Sequence, residues 1–355
     1  MAVQPAAQPE RSAASAGFPR LHRSDPAVPG IQRIRHGRGF RYIDEEGRPV
    51  ADEAVLRRIA EVVIPPAWKD VWICPYPGGH IQATGVDDRG RKQYLYHSRW
   101  RARRDQEKFD DMVAFARALP RLRSVVDEDL SGRDLSREQV LACATRLLER
   151  GFFRIGSEDY AVTNSSYGLA TMRKEHVRVA GERIDFDYPA KSGKRRVHGL
   201  VDPEVAAVVA RLKARRTGGA ELLAFKRSGR WVDVRSPDIN EYLKDASGLE
   251  VSAKDFRTWG ATVLAAVALA VIDPTVTSKT ARRRAILRAV REVAHYLGNT
   301  PAVARASYID PRVFDRYRDG ETIRAALGEI AQDTDITAIQ GPAEEAVLEL
   351  LELLE

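Results

Sequence analysis

Apolar and polar residues alternate in short runs from Phe40 to about His97, the period of strands with one buried face. FRYIDEEGRPV reads as two short strands about Glu46-Gly47. VWICPYPGGHIQATGVDDRGRKQYLYH reads as strand, glycine-containing loop, strand, a turn at Arg89-Gly90, and strand. Between these runs Asp52 to Val63 has a helical pattern, with Asp52 as its cap and Pro65-Pro66 as its stop. The pattern predicts a small, mainly antiparallel sheet domain.

After Trp100 the apolar spacing becomes helical. Ser136 with Gln139 three residues on is a capping-box signature, and Gly151 closes that helix. Asp202-Pro203 and Ser236-Pro237 open two more, with proline at the first helical position. Ser252 with Asp255 opens an apolar helix to about Ile272. Ser278 to Leu297 is the next, with Gly298 past its end, and Thr300-Pro301 opens a short helix leading to Tyr308. VRVAGERIDFDYPAKSGKRRVHGLV breaks this run. It alternates about turns at Ala180-Gly181 and Ser192-Gly193, and so reads as a three-stranded sheet with Lys191 at its second turn.

Length and composition narrow the class. The 355 residues suit two domains plus tails. The charge is +7, from 57 basic and 50 acidic residues, and the last fifteen residues, GPAEEAVLELLELLE, carry only acid. The remaining body is therefore more basic than the total, which favours a polyanion such as nucleic acid, although arginine-rich composition gives the same excess. Cys74 and Cys143 lack metal-ligand spacing and read as buried small residues in a reducing cytosol. The longest apolar stretch, Ala261 to Ile272, is too short to span a bilayer and reads as a buried helix. Residues 1–24, rich in Ala, Pro, Ser and Arg, are expected to form a disordered arm without signal-peptide layout.

Five residues between Phe153 and Asp310 carry the candidate chemistry. They are Arg154 in FFRIGSEDY, Lys191 in DYPAKSGKRRVH, Arg257 in KDFRTWGA, Asn299 in LGNTPAVARASYID, and Tyr308 nine residues further. Phosphoryl transfer to a phenol without a metal needs such a set. A tyrosine attacks, arginines and an amide hold the nonbridging oxygens, and a lysine protonates the leaving oxygen. Each alone also has a plain structural reading. Tyr308 would pack at a helix end, Arg154 would stack beside Phe152 and Phe153, and Lys191 or its neighbour Lys194 would be a solvated turn residue. Arg257 is placed in the first turn of its helix, on one face with Lys254, where free N–H groups hold a phosphate. Arg284, Arg288 and Arg291 recur along one helix face and suit backbone phosphates or solvent equally.

In order, wording and spacing these motifs resemble the type IB DNA topoisomerases of the small poxvirus-like kind, in a bacterial version. The resemblance runs over roughly residues 30 to 330 and includes TGVDDRGRKQYLYH, Thr84 to His97. It implies that Tyr308 forms a 3′-phosphotyrosyl link and that Lys191, not Lys194, is the general acid toward the 5′ oxygen. It also implies DNA contacts from Gln93, Tyr94, Tyr96 and Tyr160, to which Lys254 is added by its place on the face of Arg257. Gln93 would read an adenine edge, and the tyrosines, sharing one strand face, would pack on sugars or thymine methyls. Ser157 stands where some members have a basic groove-contacting residue. Many members carry histidine where this chain has Asn299. An amide can donate a hydrogen bond there but carries no proton or charge.

The expected fold is α+β, with a small antiparallel-sheet N-terminal domain at about 25–102. A larger, mainly helical catalytic domain with a three-stranded sheet follows at about 103–335. The two close as a clamp around double-stranded DNA, and an acidic tail at 336–355 either packs as a helix or binds a partner. The expected enzyme is a cytoplasmic, nucleoid-associated monomer without membrane contact. No G-x-x-x-x-G-K loop, paired-carboxylate or His-cluster site stands out, so neither ATP, a metal nor another cofactor is expected. Two other readings share the residues. A tyrosine recombinase has the same arginine, lysine, arginine, tyrosine layout, but with a helical core-binding domain in place of the sheet carrying QYLY. A non-enzymatic DNA-binding module would use the five residues as phosphate contacts alone.

Overall fold

A computed structural model describes residues 20–272, 278–330 and 341–352. It is mixed α+β and divides at Glu107/Lys108 into two compact units.

The first unit is a five-stranded antiparallel sheet in the order β2-β1-β3-β4-β5. Its strands are β1 (Ile31–His36), β2 (Gly39–Ile43), β3 (Lys69–Ile73), β4 (Ile81–Val86) and β5 (Lys92–Tyr96). Helix α1 (Glu53–Val62) covers it, and Ile31, Ile59, Val71, Ile73 and Ala83 form the core between them. Asp52 caps α1 by accepting from Ala54 N at 2.7 Å, as its position predicts. The sheet begins at Ile31, before the expected start at Phe40. Only Ile31 of β1 is fully buried, so IQRIRH lacks the apolar weight that marks a strand. Part of the expected N-terminal arm is also tied down. Ser24 Oγ donates to Ile81 O at 3.0 Å, and His80 N donates to His22 O at 2.9 Å. Residues 1–19 lie outside the described residues.

The second unit begins within helix α2 (Ser98–Leu130). Helices α3 (Arg137–Gly151) and α4 (Glu158–Asn164) follow, then the three-stranded sheet β6 (Val177–Ala180), β7 (Arg183–Pro189) and β8 (Arg195–Val201). That sheet is where the alternating pattern puts it. After α5 (Pro203–Lys213) comes a hairpin the pattern did not reveal, β9 (Ala224–Arg227) and β10 (Arg230–Asp233). Its turn residues Ser228 and Gly229 both take positive φ, which suits the twist of so tight a hairpin. Helices α6 (Ser236–Ser247), α7 (Ala253–Ala270), α8 (Lys279–Leu297), α9 (Pro301–Ser307), α10 (Pro311–Asp319) and α11 (Arg324–Ile330) complete the body.

Helix α7 is the axis of this unit, packing against α3, α8, α10 and α12 (Pro342–Glu352). Its apolar run is a buried helix, and no helix among the described residues is long and apolar enough to cross a membrane. Helix α12 is the described part of the acidic tail, and it packs. Ala343, Val347, Leu350 and Leu351 are buried, each such aliphatic of valine size or larger contributing about 1.5–3 kcal/mol. Trp259 Nε1 on α7 donates to Glu344 Oε1 at 2.9 Å, and Arg316 Nε donates to Leu350 O at 3.1 Å. Cys74 and Cys143 are both free and buried, and burial pushes the Cys143 thiol far up from its ordinary pKa.

Candidate active site

The second unit brings the five predicted residues to one region from five different elements. Arg154 follows α3 after Phe152, which ends that helix in the left-handed region. Phe153 is fully buried, its ring 4.7 Å from that of Phe186 on β7, and it anchors the segment in the core. The next residues are fixed by main-chain contact. Leu169 N donates to Arg154 O at 2.8 Å, and a Cβ on Gly168 would stand 2.7 Å from that same oxygen. Glycine is therefore required at 168 for the Arg154 segment to lie this close. Arg154 does not stack on the phenylalanines. Its Nη2 donates to Gly298 O at 3.1 Å and to Asn299 Oδ1.

Arg257 is the fifth residue of α7, one position beyond the predicted first turn. The helix starts where Ser252 and Asp255 said it would, with Ser252 N and Oγ both donating to the Asp255 carboxylate, at 2.8 and 3.0 Å. The Arg257 guanidinium is buried against the ends of two neighbouring helices. It is 3% exposed and donates to Phe152 O and, at 3.0 Å, to Leu297 O, while its Nε has no protein partner. It thereby ties the ends of α3 and α8 to α7. Burial first, and then the like charge of Arg154, hold its pKa down to about 10.

Tyr308 caps the C-terminal end of α9, half-buried, with the Arg257 guanidinium carbon 5.2 Å from its ring centre. Burial pushes the phenol pKa up. The charge and hydrogen bond of Arg257, with the charges of Arg154 and Lys254, outweigh that and leave it below the ordinary tyrosine value. Lys254 is exposed on the first turn of α7.

Asn299 follows Gly298 at the end of α8. Its Oδ1 accepts from Arg154, and its Nδ2 is buried without a protein partner. Lys191 is exposed in the single 3-10 turn Lys191–Gly193 that joins β7 to β8. An open groove of about 410 Å³ is lined by Arg154, Lys191, Lys194, Arg196 and Asn299 among others. Arg196, in the run KRR, is a residue that spacing did not single out. Its place on the half-buried face of β8 is what marks it.

The other predicted contacts are spread more widely. On β5 of the first unit Tyr94 and Tyr96 are exposed and stacked, ring centres 6.2 Å apart at 17°. Gln93 lies on the opposite, half-buried face, with its amide donating to Asp87 Oδ2 at 3.0 Å. Tyr160 belongs to α4, but its side chain lies outside the described residues. Ser157 is exposed just before that helix, and Arg284, Arg288 and Arg291 are exposed on α8.

A site of three arginines, a lysine, an amide and a tyrosine of lowered pKa is built for an anion and an oxygen nucleophile. The family model for the catalytic core of eukaryotic DNA topoisomerase I matches residues 97–333. The chain belongs to the type IB DNA topoisomerases. The model for the N-terminal domain of bacterial DNA topoisomerase IB matches residues 39–87, in the first unit. DNA topoisomerase 1B of Acanthamoeba polyphaga mimivirus is 28% identical over 295 residues, 82% of this chain and 88% of the relative. DNA topoisomerase I of Monkeypox virus is 19% identical over 236 residues, and DNA topoisomerase 1B of Vaccinia virus (strain Copenhagen) is 18% identical over the same length. Each of those two alignments covers 66% of this chain and 72% of the relative. As a type IB topoisomerase the protein is an isomerase that acts on DNA, and the recombinase and simple binding-module readings fall away.

Proposed function

We propose that Tyr308 cuts one DNA strand by attacking a phosphodiester, and that the protein relaxes supercoils while the 3′-phosphotyrosyl link persists. The phenol oxygen forms a bond to phosphorus, and the bond from phosphorus to the 5′ oxygen breaks. Tyr308 gives its proton to solvent, and Lys191 supplies one to the departing 5′ oxygen, since an alkoxide is a poor leaving group. Arg154, Arg257 and the free Asn299 Nδ2 hold the nonbridging oxygens as charge builds on them. The cut strand swivels about the intact one, and the 5′ hydroxyl reverses the attack. The observation that carries this reading is the Arg257 guanidinium 5.2 Å from the Tyr308 ring centre, with Arg154 and Asn299 bonded to one another in the same site.

Tyr94 and Tyr96, the exposed pair on β5, and Lys254 are the groups we assign to duplex contact, with the exposed arginines of α8 holding backbone phosphates. Gln93 contributes base reading only if it leaves Asp87. Tyr160 completes the set, and the protein acts on the duplex as a monomer in the cytoplasm. The test is supercoiled plasmid in EDTA. Relaxed ladders with a protein–DNA adduct at Tyr308 are expected, and unrelaxed plasmid at high enzyme overturns the proposal.

A further inference from the structure

We propose that Arg196 is a third phosphate-holding arginine of the site, sharing with Arg154 the space over Gly298 and gripping the same phosphate. The inference rests on the reading of Tyr308 and its partners just given. Arg196 sits opposite Tyr188 on β8, on the face that alternation turns inward. Its Nη2 donates to Tyr296 O at 2.8 Å, which fixes one edge of the guanidinium to the end of α8. The other edge faces Gly298. A Cβ built on that glycine would stand 2.8 Å from Arg196 Nη1 and 3.8 Å from Arg154 Nη1. Two guanidinium groups thus border one small space that any other residue would fill. Gly298 also caps α8 at φ +61, so two independent demands fall on this glycine.

Among the described residues no carboxylate pairs with either guanidinium. None of the residues lining the groove carries a carboxylate. Among the described residues the partners of Arg154 and Arg196 are carbonyl oxygens and the Asn299 amide. Burial and the Arg154 charge weaken the hold of Arg196 on its proton. Holding two like charges this close without a counter-ion is costly, and a phosphodiester in the space removes that cost. Guanidinium geometry suits two parallel bonds to phosphate oxygens, which a carbonyl-bound structural arginine would not need.

The test is a cycle on duplexes whose scissile phosphate is either normal or an uncharged methylphosphonate, read as single-turnover cleavage. On normal DNA Arg196→Ala should cleave about a hundredfold more slowly than the parent. On the uncharged link that gap should close to a few-fold, because the charge that Arg196 serves is gone. Lys191→Ala is the control, and its loss should persist on both, since it serves the leaving oxygen. An Arg196→Ala gap of equal size on both substrates overturns the proposal, whether it reflects a loosened hairpin or a misplaced lysine. So does wild-type cleavage by Arg196→Ala. Arg196→Lys, which keeps one charge, should fall between. If the parent itself forms no adduct through Tyr308, the reading of the whole site fails, an outcome distinct from those.

Discussion

Two arginine clusters lie in the second unit, and they are treated oppositely. Arg146 and Arg150 converge on buried Asp202, with Arg150 Nη1 2.8 Å from its carboxylate, and Arg123 bridges Glu149 at 2.6 Å and Glu344 at 2.8 Å. These charges are paired where they are buried, as folding alone requires. Arg154, Arg196 and Arg257 have carbonyl oxygens, one amide and the Tyr308 phenol as partners. Carbonyls alone can hold a single arginine in this protein. Arg215 is bound that way, yet Asp233 and Glu221 stand near enough to support its charge. What sets the second cluster apart is three guanidinium groups together with no such acid among the described residues. The difference marks which charges serve the fold and which are kept for an anion from outside.

The sharpest way to use that comparison is to remove the group the open cluster surrounds. Tyr308→Phe should abolish the covalent adduct and relaxation while leaving duplex binding within a few-fold, because only the nucleophilic oxygen is lost. Adduct formed at the wild-type rate by this variant would mean that the cluster serves binding alone.

Lys191 belongs to the open cluster by position, and its exposed side chain has no hydrogen bond or ion pair among the described residues, so its loss should be chemical. Lys191→Ala should slow cleavage by about 10²–10⁴-fold, with an unchanged melting temperature. Replacing the 5′ oxygen by sulfur, a better leaving group, should restore the rate. If Lys194→Ala is the variant that the sulfur substrate rescues, the acid is the neighbouring lysine.

The arginines of the two clusters should fail in different ways. Arg154→Ala and Arg257→Ala should each lower the cleavage rate by about 10²–10³-fold, the effect of losing one preorganised donor. Arg123→Ala should leave the rate unchanged but cost about 3 kcal/mol of stability, by removing the ion-pair partner of two half-buried carboxylates. Arg257→Ala should cost some stability as well, since Phe152 O and Leu297 O lose their donor. The pH profile sharpens this further. Cleavage should rise with pH to a midpoint below that of a free tyrosine. Arg154→Ala should move the midpoint upward, because removing a positive neighbour makes the phenol harder to ionise. A midpoint that stays put would place Arg154 away from the nucleophile.

Much of this arrangement was legible in the chain because local rules produced it. Ser252 with Asp255, Asp52 before its helix, and the Ser192-Gly193 turn of the three-stranded sheet each depend on neighbours a few residues away. What was not legible depends on distant partners. Nothing near Leu350 says that Arg316 will bind its carbonyl, or near Glu344 that Trp259 and Arg123 will hold it, so the tail could not be told from a free amphipathic helix. Arg196 was hidden for another reason. In KRR three adjacent cations look alike, and only the pairing of β8 decides which one faces the groove. Asn299 was legible as a phosphate donor, but not as the acceptor of an Arg154 hydrogen bond.

That last contact decides what a histidine at position 299 would do. Asn299 spends its Oδ1 on Arg154 and leaves Nδ2 buried without a protein partner, free for a phosphate oxygen. A histidine can repeat both roles only as the neutral ring, accepting from Arg154 with one nitrogen and donating with the other. The imidazolium has no acceptor and would face the Arg154 charge. Asn299→His should therefore cleave near the wild-type rate at pH 8 and lose ground toward pH 5, rather than gain from its positive charge. Asn299→Ala removes one ordinary donor and the Arg154 acceptor, each worth about 1 kcal/mol. Its rate should fall about thirtyfold across the range, short of either arginine variant. Single-turnover cleavage of the three forms from pH 5 to 8 separates these outcomes. A histidine form that speeds up as the pH falls would show that the Arg154 contact breaks when DNA binds. An alanine form that matches wild type would remove Asn299 from the site.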